Sequence, residues 1–237
     1  GARPQYELEY SMGVTNAGKI VSLNATVSVA VGSNQNADGE IGTCLSNIDN
    51  CYYIPNFTAT GNTYLSNVPP AQSVRGPGWI QGIGLSELMM NNAAAQLGMT
   101  PEAFKALNFY VNGQTTPGQT LLRGTEIATL WGQQQPKYTA LKQAVDTFNK
   151  NNKFRKQGIS MNPSRFGVAW GGPYNALVAI HPDGTINITH GGVEIGQGIS
   201  TKVAQGCAMV FGLTKTDVEK YIKVQPNTTT VCPSPGN

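Results

Sequence analysis

The first third of the chain alternates apolar and polar residues with the period of a β-strand. In the segment 19–32, one face of a predicted sheet carries Val21, Leu23, Ala25, Val27 and Val29. A similar segment, residues 5–14, precedes it across the turn sequence TNAG. A third β-rich segment, residues 51–64, is interrupted by Pro55. The pattern predicts three strands in this part of the chain.

Helical periodicity follows the strands. Residues 80–97 predict a helix with a core-facing side made of Ile80, Ile83, Leu88, Ala94 and Leu97. A short helix is predicted near residues 41–48. The pair Thr100-Pro101 predicts another, with threonine as the cap and proline at the first helical position. Residues 125–152 have a helical pattern twice, and Pro136 is expected to divide it into two helices.

A polar stretch, FNKNNKFRKQG, leads into the last third of the chain. It predicts two domains, residues 1–150 and 151–237. Beyond it, residues 164–170 predict a strand and residues 176–189 a hairpin with a Pro-Asp-Gly turn. A helix is predicted over 199–212, and Gly212 is expected to end it. A short capped helix and a final strand complete the pattern, which lacks internal repeats. Strands mixed with helices predict an α+β fold, in which covering helices pack on mixed sheets.

Four glycines occur in the eight residues 191–198, directly before the predicted helix. Glycine permits positive φ and close approach to the backbone, and a helix start offers unpaired N–H groups to an anion. The stretch therefore predicts a seat for a phosphate-like or oxo-like group, and its alternative is a tightly packed corner that binds nothing. It does not match a dinucleotide fingerprint, because Thr201 replaces the third glycine, and it lacks the Gly-Lys-Ser/Thr of a Walker loop.

Charge and hydropathy exclude two classes of partner. The net charge is +3, and lysines and arginines are scattered, so nucleic-acid binding is not indicated. No run of 18 apolar residues occurs, which argues against a membrane span. The chain begins with Gly1 and has no signal-peptide pattern, so we expect a segment or a processed product.

The four cysteines do not predict a metal site. They form no Cys-x-x-Cys pair, and the chain has only two histidines. An even number is consistent both with reduced thiols and with two disulfides. Four Asn-x-Ser/Thr triplets, which begin at Asn24, Asn56, Asn187 and Asn227, matter only for a secreted protein.

The glycine stretch closely resembles a loop of a known family. THGGVEIGQGISTK is similar to the HGG-x-E-x-GQG loop of the molybdenum hydroxylases, the xanthine dehydrogenase and aldehyde oxidase family. IDNCYYIPN resembles the family's MDNCY-x-IPN, and SVRGPGWIQG resembles AFRGFGGPQG. FRKQGISMNPSRFGV resembles KKRG…P-x-KFG, and VAIHPDGTINITHGG resembles V-x-x-DGS-x-x-x-THGG. The motifs occur in the family's order and cover essentially the whole chain.

The resemblance implies a molybdenum–molybdopterin cofactor and a set of residues around it. It places the Gln197 amide at the molybdenum-oxo end, with Gly196 and Gly198 clearing room. An amide donates hydrogen bonds without adding charge. Arg75 matches the arginine of the family's FRGFG loop, which contacts the cofactor side. Glu194 is interpreted as a loop residue that makes a structural hydrogen bond, and no catalytic base or metal ligand is assigned in this chain.

The predicted substrate pocket departs from the family pattern at four aligned positions. Pro77 and Trp170 replace the two phenylalanines that sandwich the substrate ring. Gly171 replaces a threonine and so removes a hydroxyl donor. Thr43 aligns with the arginine that orients purines in xanthine-oxidising members. A missing guanidinium removes a charge-assisted hydrogen bond, so the pocket predicts an aldehyde or another N-heterocycle as substrate.

The resemblance also implies the rest of a parent enzyme. It predicts 2Fe-2S centres and FAD elsewhere in the parent chain, a general-base glutamate downstream, NAD or dioxygen as electron acceptor, and a homodimer. The expected location is cytoplasmic or peroxisomal, without nucleic-acid or membrane partners. Two alternatives stay open at this point: an inactive paralogue, and a secreted glycosylated binding protein with two disulfides.

Overall fold

The three alternating segments form a sheet in the order β1–β2–β3, with β1 antiparallel and β3 parallel to β2. The structure, a computed structural model, describes residues 2–35, 37–167 and 174–234. The strands are β1 (Gln5–Val14), β2 (Ile20–Gly32) and β3 (Asn56–Leu65). The third strand begins only after Pro55, and proline has no N–H to donate to a ladder.

The predicted alternation along β2 is confirmed except at its start. Leu23, Ala25, Val27 and Val29 are buried, whereas Val21 is exposed and Ile20 is buried instead. The pairing of β1 with β2 shifts register between Gly13 and Val14. Such an irregularity adds a residue to one strand, and it reverses which positions face the core. The prediction for Val21 was therefore wrong.

Four helices complete the described part of the first unit, and the first two of them contact the sheet. They are α1 (Gly39–Leu45), α2 (Trp79–Gln96), α3 (Pro101–Leu107) and α4 (Ile127–Asn151). The Thr100 hydroxyl caps α3 by accepting the Ala103 N–H at 3.3 Å, as predicted. In α2, however, the predicted core residues Ile80 and Leu88 are exposed. Gly82, Ser86, Met89 and Met90 face inward instead, together with Ala94, which was predicted to do so.

The predicted break at Pro136 does not occur, because α4 continues through it as one helix of 25 residues. Proline removes one intrahelical hydrogen bond and normally kinks or ends a helix. The residue four positions earlier is Gly132, which is exposed. Water is therefore available to the carbonyl that loses its helical partner.

The last third of the chain forms a second, smaller sheet in the order β4–β5–β6. Its elements are β4 (Ala176–Ile180), β5 (Ile186–His190), α5 (Ile199–Phe211), α6 (Lys215–Tyr221) and β6 (Ile222–Val224). The predicted hairpin turn is confirmed, with Gly184 at φ +83° and the Asp183 carboxylate accepting the Thr185 N–H at 2.9 Å. Ile186, Ile188, Ala204, Ala208 and Ile222 form the core.

The α+β fold is confirmed, and the described chain divides into two compact units, Gly1–Phe166 and Gly167–Asn237. The predicted boundary after residue 150 stays a prediction. The contact division falls later, because Asn162 and Arg165 bond to the first unit. Residues 164–167 are not a strand, which corrects the prediction, and residues 168–170 lie outside the described residues. No helix in the described ranges has the length and apolarity needed to cross a membrane.

Candidate functional site

The glycine loop folds around its own glutamate. Gly198 stands immediately before α5 in the left-handed conformation, at φ +73°, and Gly196 has φ +93°. The Glu194 carboxylate accepts the backbone N–H groups of Gly196, Gly198 and Ile199 at 2.7, 3.1 and 2.9 Å. These bonds, that of Gly198 above all, lower the pKa of Glu194. The anion at this helix start is therefore the chain's own carboxylate. That the loop also receives a phosphate-like or oxo-like group stays a prediction.

The Gln197 amide closes the same loop. Its Nε2 donates to the Val193 carbonyl at 2.7 Å, and its Oε1 accepts the Ile195 N–H at 2.6 Å. A primary amide carries two N–H donors, and within the described residues only one of them has a protein partner. The side chain is half-exposed. The loop thus fixes the position of Gln197 and leaves one donor for a ligand.

The four glycines of the stretch serve different purposes. A side chain at Gly191 would lie 2.6 Å from the Pro233 carbonyl oxygen, and one at Gly192 would collide with Ile199. This pair fits the interpretation of a packed corner. A side chain at Gly198 would meet nothing within 4 Å, so the glycine there permits the positive φ and borders open space. A group that approaches the backbone therefore fits beside Gly198.

In the first unit, the structure brings Thr43 beside the loop that contains Arg75 and Pro77. Gly78, the residue after Pro77, starts α2 at φ +74°. A side chain at Gly78 would contact the Glu40 carbonyl oxygen and would lie 2.6 Å from the Thr43 Cβ. The glycine motif around Pro77 thus lets the start of α2 touch α1. Thr43 and Pro77 are both half-buried.

Arg75 lies on the exposed side of this loop. Its backbone is held by Arg3, whose guanidinium donates to the Arg75 and Val74 carbonyl oxygens at 2.6 and 3.0 Å. Sequence reasoning assigned no role to Arg3. The other two predicted pocket residues, Trp170 and Gly171, lie outside the described residues, and their roles stay predictions.

A buried network of polar side chains, centred on Glu87 of α2, was not predicted from the sequence. The Glu87 Oε1 accepts the Tyr52 hydroxyl at 2.6 Å and the Asn50 amide at 2.9 Å. Its Oε2 lies 2.8 Å from Lys105 Nζ, an ion pair in which the lysine side chain is 1% exposed. Buried charges are rare unless paired. Since Lys105 looks like an ordinary surface position of an amphipathic helix, only the tertiary structure reveals its partner.

The sequence DNC, residues 49–51, links this network to Tyr110 and Arg165. Asn50 has φ +46°, a conformation that asparagine tolerates better than most residues. The neighbouring Asp49 accepts the Tyr110 hydroxyl at 2.7 Å and pairs with Arg165. Burial raises the pKa of Asp49, and Arg165 and Tyr110 oppose that shift. The motif IDNCYYIPN was a usable signal, because it singled out this segment without showing its partners.

Comparison with known proteins gives the same kind of match in both halves of the chain. The family model described as "Molybdopterin cofactor-binding domain" matches residues 1–109, and a second model with the same description matches residues 132–237. Xanthine dehydrogenase 2 of Arabidopsis thaliana is 34% identical over an alignment of 231 positions, and the match covers 92% of this chain and 17% of that protein. Xanthine dehydrogenase/oxidase of Gallus gallus is 31% identical over an alignment of 240 positions, and the match covers 96% of this chain and 18% of that protein.

Solved structures share the fold at lower identity. The aldehyde oxidoreductase from Desulfovibrio desulfuricans ATCC 27774 has a TM-score of 0.79 at 23% identity, and the match covers 99% of this chain and 26% of that one. Quinoline 2-oxidoreductase from Pseudomonas putida 86 has a TM-score of 0.72 at 19% identity, covering 98% and 31%. The chain thus spans less than a fifth of the two curated relatives and about a quarter to a third of these structures.

Proposed function

Because the chain belongs to the molybdenum hydroxylase family, as two successive molybdopterin cofactor-binding domains, we propose that its parent protein is an oxidoreductase that hydroxylates aldehydes or N-heterocycles with oxygen from water. The pair of family matches, which together span most of the chain, carries this proposal. The same matches do not favour a secreted glycosylated binding protein. The chain spans only part of its relatives, so the proposal concerns the whole protein.

Two motifs are each proposed to contact the cofactor, namely the glycine loop and the loop that contains Arg75. When bound, the molybdenum–molybdopterin group supplies the redox chemistry, and protein groups orient it. Gln197 offers its remaining N–H from a position fixed by two hydrogen bonds within the loop. Gly198 leaves open space beside it, and Gly196 provides the backbone turn. Arg75 offers a fork of donors to an anionic or oxo group.

We assign no catalytic base within these 237 residues. Glu194 is the carboxylate nearest to the proposed cofactor contacts, but its oxygens accept three backbone N–H groups and its pKa is lowered. Such a carboxylate is a weaker proton acceptor than a free one. The general base, the 2Fe-2S and FAD groups, the electron acceptor and a dimer contact are proposed to lie in other parts of the parent.

The cofactor assignment is tested by two substitutions in the parent protein. Gln197→Ala and Arg75→Ala are expected to lower molybdenum content or turnover, because each removes a hydrogen-bond donor that is proposed to contact the cofactor. The matched controls are Gln205→Ala and Arg123→Ala, which change exposed residues of the same types. Molybdenum is measured by elemental analysis of the purified variants. Unchanged metal content and turnover in both test variants would contradict the assignment.

For the substrate, we propose that the parent prefers aldehydes to xanthine. At Thr43 a short hydroxyl side chain lies beside the Pro77 loop, where the family pattern has a guanidinium. A hydrogen bond to a charged group contributes about 1.5–3 kcal/mol, so its loss costs roughly 10- to 100-fold in kcat/KM. Trp170 keeps an aromatic face that suits an apolar ring, and Gly171 lacks a hydroxyl donor.

A purine-like heterocycle is the second candidate, favoured by the names of the curated relatives, which are xanthine dehydrogenases at 29–34% identity. The deciding measurement compares kcat/KM for xanthine and benzaldehyde with the parent enzyme. Thr43→Arg is expected to shift the ratio towards xanthine by restoring a guanidinium. A clear preference of the unmodified enzyme for xanthine would refute the aldehyde proposal, and no turnover of either class would support an inactive paralogue.

A further inference from the structure

The segment Asn162–Phe166 of the first unit, here called the strap, crosses the end of α1. Its Arg165 guanidinium makes a two-pronged ion pair with Asp49, with Nη2–Oδ1 and Nη1–Oδ2 distances of 2.8 and 3.1 Å. The same Nη2 donates to the Ser46 carbonyl at 3.0 Å. Ser46 is the residue that ends α1. The guanidinium therefore binds both the last turn of α1 and the loop that follows it.

The next residue of the strap contacts the other helix of the predicted pocket. The Phe166 ring packs on the Trp79 ring with a centroid distance of 4.6 Å and an interplanar angle of 39°. Trp79 is the first residue of α2. Two consecutive strap residues thus contact the end of α1 and the start of α2.

The strap is anchored by the buried network rather than lying loosely on the surface. The Asn162 amide oxygen accepts from Lys105 Nζ at 2.7 Å, and the Pro163 carbonyl accepts from the Asn50 amide at 3.0 Å. The Arg165 N–H also donates to the Asn50 Oδ1 at 3.2 Å. Asp49 is 3% exposed and Arg165 32% exposed. A partly desolvated pair is less screened than one at the surface.

We propose that Arg165 is a positioning residue, which fixes the spacing between Thr43 on α1 and the Arg75–Pro77 loop before α2. Arg165 touches neither of them and acts through Ser46, Asp49 and the neighbouring contact of Phe166. This inference rests on the proposed function, in which Thr43 and Pro77 line the substrate pocket. The spacing between these two residues then sets the width of that part of the pocket. Guanidinium suits this task because its planar donors hold two carboxylate oxygens at once.

The test combines kinetics and hydrogen exchange on the cofactor-loaded parent enzyme. Arg165→Ala is expected to lower kcat/KM for the preferred substrate about 10- to 100-fold, the scale of a small misplacement in an active site. We expect most of the loss in KM, because the proposed change is in the fit of the substrate and not in the reacting groups. Molybdenum content should stay unchanged. Exchange should accelerate in peptides that cover 42–50 and 76–83, and it should stay constant in 127–151 and 176–190. Arg165→Lys is expected to recover part of the loss, since an ammonium keeps the charge without the fork.

The control is Arg155→Ala, which removes an exposed arginine from the same connecting segment. It should change neither KM nor exchange. If Arg165→Ala does not accumulate as folded protein, Asp49→Asn, which keeps the side-chain volume, takes its place. The proposal is overturned if exchange in 42–50 and 76–83 is unaffected, or if it accelerates while KM stays the same. A parent without activity refutes the proposed function, and the exchange result alone then decides whether Arg165 fixes the two helix ends.

Discussion

Two glycines of α2 allow the contact between α1 and α2 to be measured directly. Gly82 and Gly84 lie in the same helix, two residues apart. A methyl carbon at Gly82 would lie 2.6 Å from the Cys44 carbonyl oxygen, whereas one at Gly84 would meet nothing within 4 Å. Both replacements by alanine gain the same helix propensity. The difference between the two variants therefore reports the helix contact alone.

These distances determine the expected change in the free energy of unfolding for each variant. Gly84→Ala should stabilise the fold by about 0.5–1 kcal/mol, the usual advantage of alanine inside a helix. Ordinary contact begins near 3.4 Å, so at Gly82 the backbone of α1 must move, and overpacking of this kind costs about 1–3 kcal/mol. After the propensity gain, Gly82→Ala should destabilise by up to about 2 kcal/mol. The two variants should differ by about 1–3 kcal/mol.

Urea unfolding of the 237-residue chain, followed by far-UV circular dichroism, measures both changes. In a thermal scan, each kcal/mol corresponds to about 2–4 °C for a chain of this size. The parent enzyme with Gly82→Ala should also lose activity, because Thr43 lies on α1, Pro77 lies in the loop directly before α2, and the two helices move apart. Equal stabilities of the two variants would refute the argument, since they would show that α1 does not lie against Gly82.

Two further predictions concern charged groups. The Glu194 pKa is lowered in the folded chain, so its stabilising bonds are complete above the ordinary glutamate pKa of about 4.3 and are lost as the pH falls through the lower folded value. In NMR, the chemical shift of the Gly198 amide should change with pH, with a midpoint below about 4.3, in the unmodified chain and not in Glu194→Gln. A midpoint above about 4.3 would show that the Glu194 pKa is not lowered. Lys105→Met leaves Glu87 buried without its cation and should cost about 3–5 kcal/mol in urea unfolding, whereas the double variant with Glu87→Gln should recover most of this loss. No recovery would mean that Lys105 acts through its contact with Asn162.

Local signals in the sequence predicted the elements whose partners are close along the chain. The Pro182-Asp183-Gly184 turn, the Thr100 cap and the glycine that ends α5, Gly212, were all found as expected. Each of them is completed by bonds within five residues, so the sequence neighbourhood contains the whole interaction. The glycine loop was also recognised, although its glutamate turned out to occupy the helix start.

The tertiary structure alone decided which residues face the core and which charges meet. Ile80 and Leu88 fit a helical face, but α1 approaches α2 on the side of Gly82, so Gly82 is buried while Ile80 and Leu88 are exposed. Arg165 pairs with Asp49 across 116 positions of the chain. Periodicity in the sequence describes one helix or strand at a time. Burial and ion pairing also depend on the neighbouring element that packs against it. For α1 and α2, the direction from which one helix approaches the other is set by the sheet that both contact.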